Sequence, residues 1–180
     1  MSNIKVSLPD GSVKEFEAGS SLLSIAKSLN QKLGKTALLA KVDGENKDLS
    51  DTLDHDAKVE FITPDSEEGL HAIRHTASHV MAQAIQHLFP GTKFAIGPAI
   101  EKGFYYDLDS EHVFTPDDLR AIEKEMSKII KANYPLVRNE LPRAEALAKF
   151  KAEDEPYKVE LIEDLPEDAV ISTYTQGDFT

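Results

Sequence analysis

The stretch Leu70–Phe89, LHAIRHTASHVMAQAIQHLF, constrains the fold most: it is the longest unbroken helical pattern and holds four of the six histidines. Ile73, Ala77, Val80, Met81, Ala84 and Leu88 recur at three- and four-residue steps. At helical pitch they form one apolar stripe. His71, His75 and His79 stand four residues apart and project together from roughly the opposite side. Ala72, Ser78 and Ala82 flank them. A helix that buries one side and lines the other with imidazoles and small residues is suited to wall a polar pocket.

Three chemistries fit that histidine row. One is a plain solvated face. The second is a metal site, since imidazoles four apart on a helix can share an ion. The zinc-protease signature needs a Glu directly after the first His, and Thr76 follows His75 instead. With no cysteine in the sequence, a Cys/His zinc site cannot be assembled from it. The third is acid–base work on a bound polar substrate, which suits a group that titrates near neutral pH.

The chain has 180 residues, enough for one large or two small domains. No apolar run approaches the roughly 20 residues of a membrane span. The opening MSNIKVSLPDG lacks the apolar region and cleavage site of a signal peptide. Absence of cysteine fits a cytoplasmic location. The formal net charge is −12, unevenly placed. Residues 1–62 carry 8 Lys+Arg against 10 Asp+Glu, and the remainder 12 against 22, giving −2 and −10. That balance argues against broad sequence-independent nucleic-acid binding, which depends on Lys and Arg contacts to phosphate. A local RNA contact remains compatible with it.

Ile4–Leu8 alternates, Pro9-Asp10-Gly11 signals a turn, and Val13–Phe16 resumes the alternation: a hairpin. Ser20 or Ser21 then caps a helix with inner face Leu22, Ile25, Ala26 and Leu29. Thr36–Val42 reads as a buried strand turned back by Asp43-Gly44, and Lys58–Ile62 alternates again. Hairpin, helix and further strands within residues 1–62 is the order of a small β-grasp domain. Residues 63–69, TPDSEEG, read as a linker, with Asp65 or Ser66 able to cap the histidine helix.

Beyond the helix, Lys93–Ile96 and Gly103–Asp107 predict a second hairpin. Its glycines suit either turns or a close ligand approach. Thr115-Pro116-Asp117-Asp118 starts a helix whose stripe is Leu119, Ile122, Met126, Ile129 and Ile130, ended by Pro135. A short strand at Leu136-Val137, a helix over Arg143–Phe150 and a strand over Ile171–Thr175 follow. Lys158 is the one base beside Glu153, Asp154 and Glu155, which on residues alone reads as surface charge balance. The fold class is α+β: a β-grasp domain, then a domain in which a His-bearing helix packs on an antiparallel sheet.

IRHTASHVMAQAI followed by TKFAIGPAIEKGFYYDLD resembles the editing domain of threonyl-tRNA synthetases. The first 62 residues resemble the small β-grasp module, called TGS, that precedes that domain. Alanyl-tRNA synthetases share the His-x-x-x-His helix but not the leading module or the GFYYD strand. The resemblance implies hydrolysis of threonine tRNA mischarged with serine. Serine lacks one methyl of threonine, which a pocket exploits for only about 1–3 kcal/mol, so a second site must remove the error. It further implies that His75, His79 and Lys158 are catalytic, positioning the attacking water and holding the terminal ribose. Gly97 and Tyr106 match positions that bind the amino acid.

The same resemblance implies the acceptor end of threonine tRNA as partner, no metal at the editing site and no membrane contact. ATP, magnesium and zinc belong to an aminoacylation core, and a homodimer to domains, that these residues do not include. The family's Asp-x-Cys and a further His follow the position of Thr180, so residues 70–180 are expected to form an editing domain incomplete at its C-terminal end, with reduced activity alone. Two alternatives stand beside this: a non-catalytic β-grasp module that binds RNA or protein, and a histidine-based metallohydrolase.

Overall fold

The computed structural model describes residues 3–180. Two units compose it, one ending at Ile73 and the other beginning at Arg74. In the first unit come strands β1 (Asn3–Ser7), β2 (Val13–Glu17) and β3 (Ser20–Ser21). Helices α1 (Leu22–Leu29) and α2 (Leu33–Thr36) follow, then β4 (Leu39–Val42), β5 (Glu45–Lys47), β6 (Thr52–Leu53) and β7 (Ala57–Ile62). The main sheet runs β2-β1-β7-β4-β5. β1 and β7 are parallel, and the other neighbours are antiparallel. This is a β-grasp fold, and the unit belongs to the α+β class.

The β1–β2 turn forms because Asp10 Oδ1 accepts from the Ser12 N–H at 2.9 Å while Gly11 takes the left-handed conformation. Ser21 caps α1, accepting from Ser24 N at 3.2 Å. Leu22 and Ile25 then meet Ile4, Val6 and Val59 of the sheet in the core, and Ala26 is also fully buried. The strand expected over Thr36–Val42 is shorter, Leu39–Val42. Thr36 instead closes α2, its hydroxyl donating to Lys32 O at 3.0 Å. Asp43 and Gly44 both take positive φ, as a two-residue hairpin turn requires.

The seven residues read as a linker are only partly one. Helix α3 spans Glu67–Leu88, so Glu67–Gly69 form its first turn. Ser66 Oγ accepts from Gly69 N at 3.0 Å, and Glu68 pairs with Lys41 at 2.9 Å. Gly69 has no room for a side chain, since a Cβ there would lie 2.0 Å from Thr63 O.

The second unit holds the rest of α3, then β8 (Lys93–Phe94), β9 (Ala99–Ile100), β10 (Gly103–Phe104) and β11 (Leu108–Asp109). After these come α4 (Pro116–Ala132), β12 (Leu136–Pro142), α5 (Arg143–Ala152), α6 (Pro156–Glu163) and β13 (Val170–Gln176). Its main core joins Val80, Ala82, Ala84 and Ile85 of α3 to Phe94, Ile122, Ile129 and Phe179. A smaller cluster of Ala146, Phe150, Ile162 and Ile171 holds α5 and α6 to the β12–β13 ribbon.

Several sequence expectations change here. The stripe on α3 is rotated: Ile73 and Leu88 are exposed, while Ser78, Ala82, Gln83 and Ile85 are buried. The expected hairpin is split into β8–β11 and β9–β10, with Gly97-Pro98 opposite Tyr105-Tyr106 between them. On α4, Leu119 and Ile130 face solvent and only Ile122 and Ile129 are buried. That helix ends at Asn133, in the left-handed conformation, before Pro135 is reached. The strand at Leu136 is seven residues long, and α6 had no counterpart in the sequence reading.

Candidate functional site

His75 and His79 lie one helical turn apart on α3, and their Nε2 atoms are 3.0 Å apart. The ring centroids are 4.6 Å apart, tilted by 56°. At that distance one Nε2 must donate and the other accept. Two imidazolium rings cannot share the contact, because both nitrogens would then carry hydrogen.

His75 is exposed, whereas His79 is half-buried. Burial, then the charges of His75 and Lys158, lowers His79 from 6.5 to about 4. His79 is therefore a neutral imidazole at pH 7. Its Nδ1 is buried without a hydrogen-bond partner among the described residues.

The register of this pair is held by Ser78. Its hydroxyl lies 2.7 Å from His75 O and 3.2 Å from Gly97 O, tying α3 to the segment between β8 and β9. Gly97 in turn lies under the Tyr106 ring. A Cβ on Gly97 would be 2.4 Å from two ring atoms, so the missing side chain is space for Tyr106. Burial, and secondarily the charge of Glu155, raises the Tyr106 hydroxyl above its ordinary value.

Lys158 sits near the start of α6, and Pro156 at the first helical position fixes where that helix begins. The residue is not surface charge balance: its side chain is 20% exposed. Nζ donates to Thr180 O at 2.8 Å and lies 3.7 Å from Glu155 Oε1. It also stands 5.3 Å from the Phe150 ring centroid and 5.5 Å from that of Phe179. Burial lowers its pKa, with Glu155 and Glu153 opposing. Phe179 presents its edge to His79 at 6.4 Å and to Phe94 at 5.8 Å. It thus touches both the histidine helix and the lysine.

The structure therefore gathers His75 with His79, Lys158 with His79 through Phe179, and Gly97 with Tyr106, the last pair joined to α3 by Ser78. Among the described residues no group of three or more His, Cys, Asp or Glu side chains is placed to hold a metal ion. The sequence reading missed Ser78 as a clasp, Phe179 as a wall, and Glu155 as a buried neighbour of Lys158. The Glu155–Lys158 spacing of three, directly across Pro156, was the available signal for the last. Among the described residues no helix is long and apolar enough to cross a membrane.

Residues 4–63 match the TGS domain family. The chain is 54% identical over 176 residues to a threonine–tRNA ligase of Desulforamulus reducens, and 53% identical over 176 residues to that of Syntrophomonas wolfei. It is 53% identical over 175 residues to the Finegoldia magna enzyme of the same name. These alignments cover 97–98% of the chain but 28% of each relative's length. On this likeness the chain belongs with the threonine–tRNA ligases, as a homologue of the region of those enzymes that carries the TGS domain.

Proposed function

We propose that residues 74–180 form an editing site that hydrolyses seryl-tRNA made on threonine tRNA, as part of a cytoplasmic threonine–tRNA ligase. The observation that carries this reading is the 3.0 Å His75–His79 contact, in which His79 is neutral and feels the charge of the half-buried Lys158. Ester hydrolysis needs a base for the water proton and a cation near the ribose, and these residue types supply both. His75 is the exposed member, so the water proton is assigned to its end of the pair, with His79 orienting it through the 3.0 Å contact. The water oxygen bonds to the seryl carbonyl carbon. The ester C–O bond then breaks, and the imidazolium returns its proton to the leaving ribose hydroxyl. Lys158 holds that ribose. Gly97 and Tyr106 wall the side where serine lies.

The partner on this reading is the acceptor end of threonine tRNA, met locally, since the net charge of −12 gives no broad phosphate-binding surface. ATP, magnesium, zinc and dimer contacts are assigned to other parts of such a ligase.

The test is a chimaeric ligase in which this chain replaces the matching region of the Desulforamulus reducens relative. Its deacylation of serine-charged threonine tRNA is compared with that of the His75→Ala variant. The expected result is a fall of about 100-fold or more, the usual range for a lost acid–base group, with threonine aminoacylation unchanged. Deacylation by the variant at the parent rate would overturn the proposal.

A further inference from the structure

An aminoacyl ester carries an α-amino group, cationic when protonated, for which a carboxylate is the natural partner. Glu155 is 8% exposed and is the one charged residue among the buried residues of the described chain. Its backbone N–H donates to Phe150 O at 3.0 Å, which fixes the residue at the head of α6. Oε1 is 3.7 Å from Lys158 Nζ, but Oε2 is buried with no hydrogen-bond partner. The carboxyl is also close enough to Tyr106 for its charge to raise that hydroxyl. Glu155 therefore borders the same cluster as Lys158, Tyr106 and Gly97.

A structural ion pair with Lys158 does not account for this arrangement. The lysine's short contact goes to Thr180 O, and the carboxyl keeps one oxygen unsatisfied. An unsatisfied buried acceptor is costly, more so when charged, and persists where a ligand or catalytic role explains it. The donor that best offsets a buried carboxylate oxygen is a cationic N–H.

We propose that Glu155 is a substrate-contact residue whose Oε2 accepts a hydrogen bond from the protonated α-amino group of the aminoacyl ester. This rests on the editing function proposed above. It assigns an anionic contact to that site.

The test is calorimetric binding, to the chimaeric ligase described above, of two non-hydrolysable adenosine 3′-amides. One carries seryl; the other carries 3-hydroxypropanoyl, which is serine without its amino group. At pH 7 an α-amino group is largely protonated. The seryl amide is expected to bind at least about tenfold more tightly, in keeping with one hydrogen bond to a charged group. Glu155→Gln should lose that advantage and leave the 3-hydroxypropanoyl affinity within about twofold.

Raising the pH from 7 to 9 in the unsubstituted protein should also remove the advantage, by neutralising the amine, whether or not the variant folds. Equal losses for both amides would mean that Glu155 acts through Lys158, and would overturn the inference. An unchanged seryl advantage in Glu155→Gln, or at pH 9, would overturn it too. If neither amide binds the unsubstituted chimaera, the editing site itself is wrong and this inference falls with it.

Discussion

Gly97→Ala separates two reasons for a glycine at this position. If the glycine is there for a ligand, the added methyl weakens binding and leaves the fold alone. The geometry supports the other reason. The new Cβ would meet Tyr106 Cδ2 and Cε2 at 2.4 Å and Cζ at 2.7 Å, while ordinary contact begins at 3.4 Å. The ring would have to retreat by about 1 Å. Behind it stands Phe94, fully buried and edge-on at 5.6 Å, and Phe94 leans on Phe179 in turn. Overpacking of this kind costs about 1–3 kcal/mol. For a unit of roughly 100 residues that lowers Tm by about 4–8 °C per kcal/mol.

The assay is thermal and urea unfolding of Gly97→Ala in two backgrounds, native and Tyr106→Ala. With the ring gone the methyl has room, and the second cost should drop below about 0.5 kcal/mol, a clear departure from additivity. Equal costs in both backgrounds, or no cost in the native one, would refute the reasoning. Because Phe179 lies between Tyr106's support and His79, a real clash should also shift the His79 imidazole resonances.

The His79 pKa carries a pH dependence with a definite sign. Unfolded, the imidazole takes a proton near 6.5; folded, it resists until about 4, facing His75 and Lys158. Stability is thus unaffected by His79 above pH 7 and falls as pH drops from 6.5 towards 4. Between pH 7.5 and 5 the parent should lose about 2 kcal/mol more than His79→Gln in urea titrations; parallel losses would contradict the low value. At α4, the Thr115 N–H donates to Asp118 Oδ2 at 2.8 Å while its hydroxyl accepts from Asp118 N at 3.4 Å. Thr115→Ala should cost about 1 kcal/mol and Thr115→Ser almost nothing; equal stability of all three in urea unfolding would show that the cap is idle.

What the sequence disclosed follows the range of the forces involved. The first unit is built of local signals: Pro-Asp-Gly, the Ser21 cap, Asp43-Gly44 and strict alternation. Each is decided within about five residues, and each appears where it was expected. Helix α4 was located by Thr115, Pro116 and the acidic residues of its first turn for the same reason. Its inner face was misjudged because apolarity at helical spacing does not say how wide a partner surface is. Only Ile122 and Ile129 find one, and Leu119 and Ile130 are left in solvent. Helix α6 was missed because its start is set by Pro156 and its packing by Phe150 and Ile162, with no side-chain cap to announce it.

The candidate site divides along the same line. The histidine pair is local, four residues on one helix, and was legible at once. What makes the pair chemically distinct is not local. Gln83, in the middle of the same helix, is completely buried, with its Nε2 donating to Gln176 O at 3.1 Å and Asp178 Oδ1 at 2.9 Å. Those bonds anchor the turn that delivers Phe179 to the core, and Phe179 then meets both His79 and Lys158. A polar residue on what the pattern reads as an apolar helix carries no hint that its partners lie more than 90 residues away. The half-burial that keeps His79 neutral is therefore a property of the closed second unit and not of the His-x-x-x-His spacing. It follows that in a peptide of α3 alone His79 should titrate near its ordinary value, and that the lowered His79 pKa reports whether the turn at Gln176–Phe179 has docked.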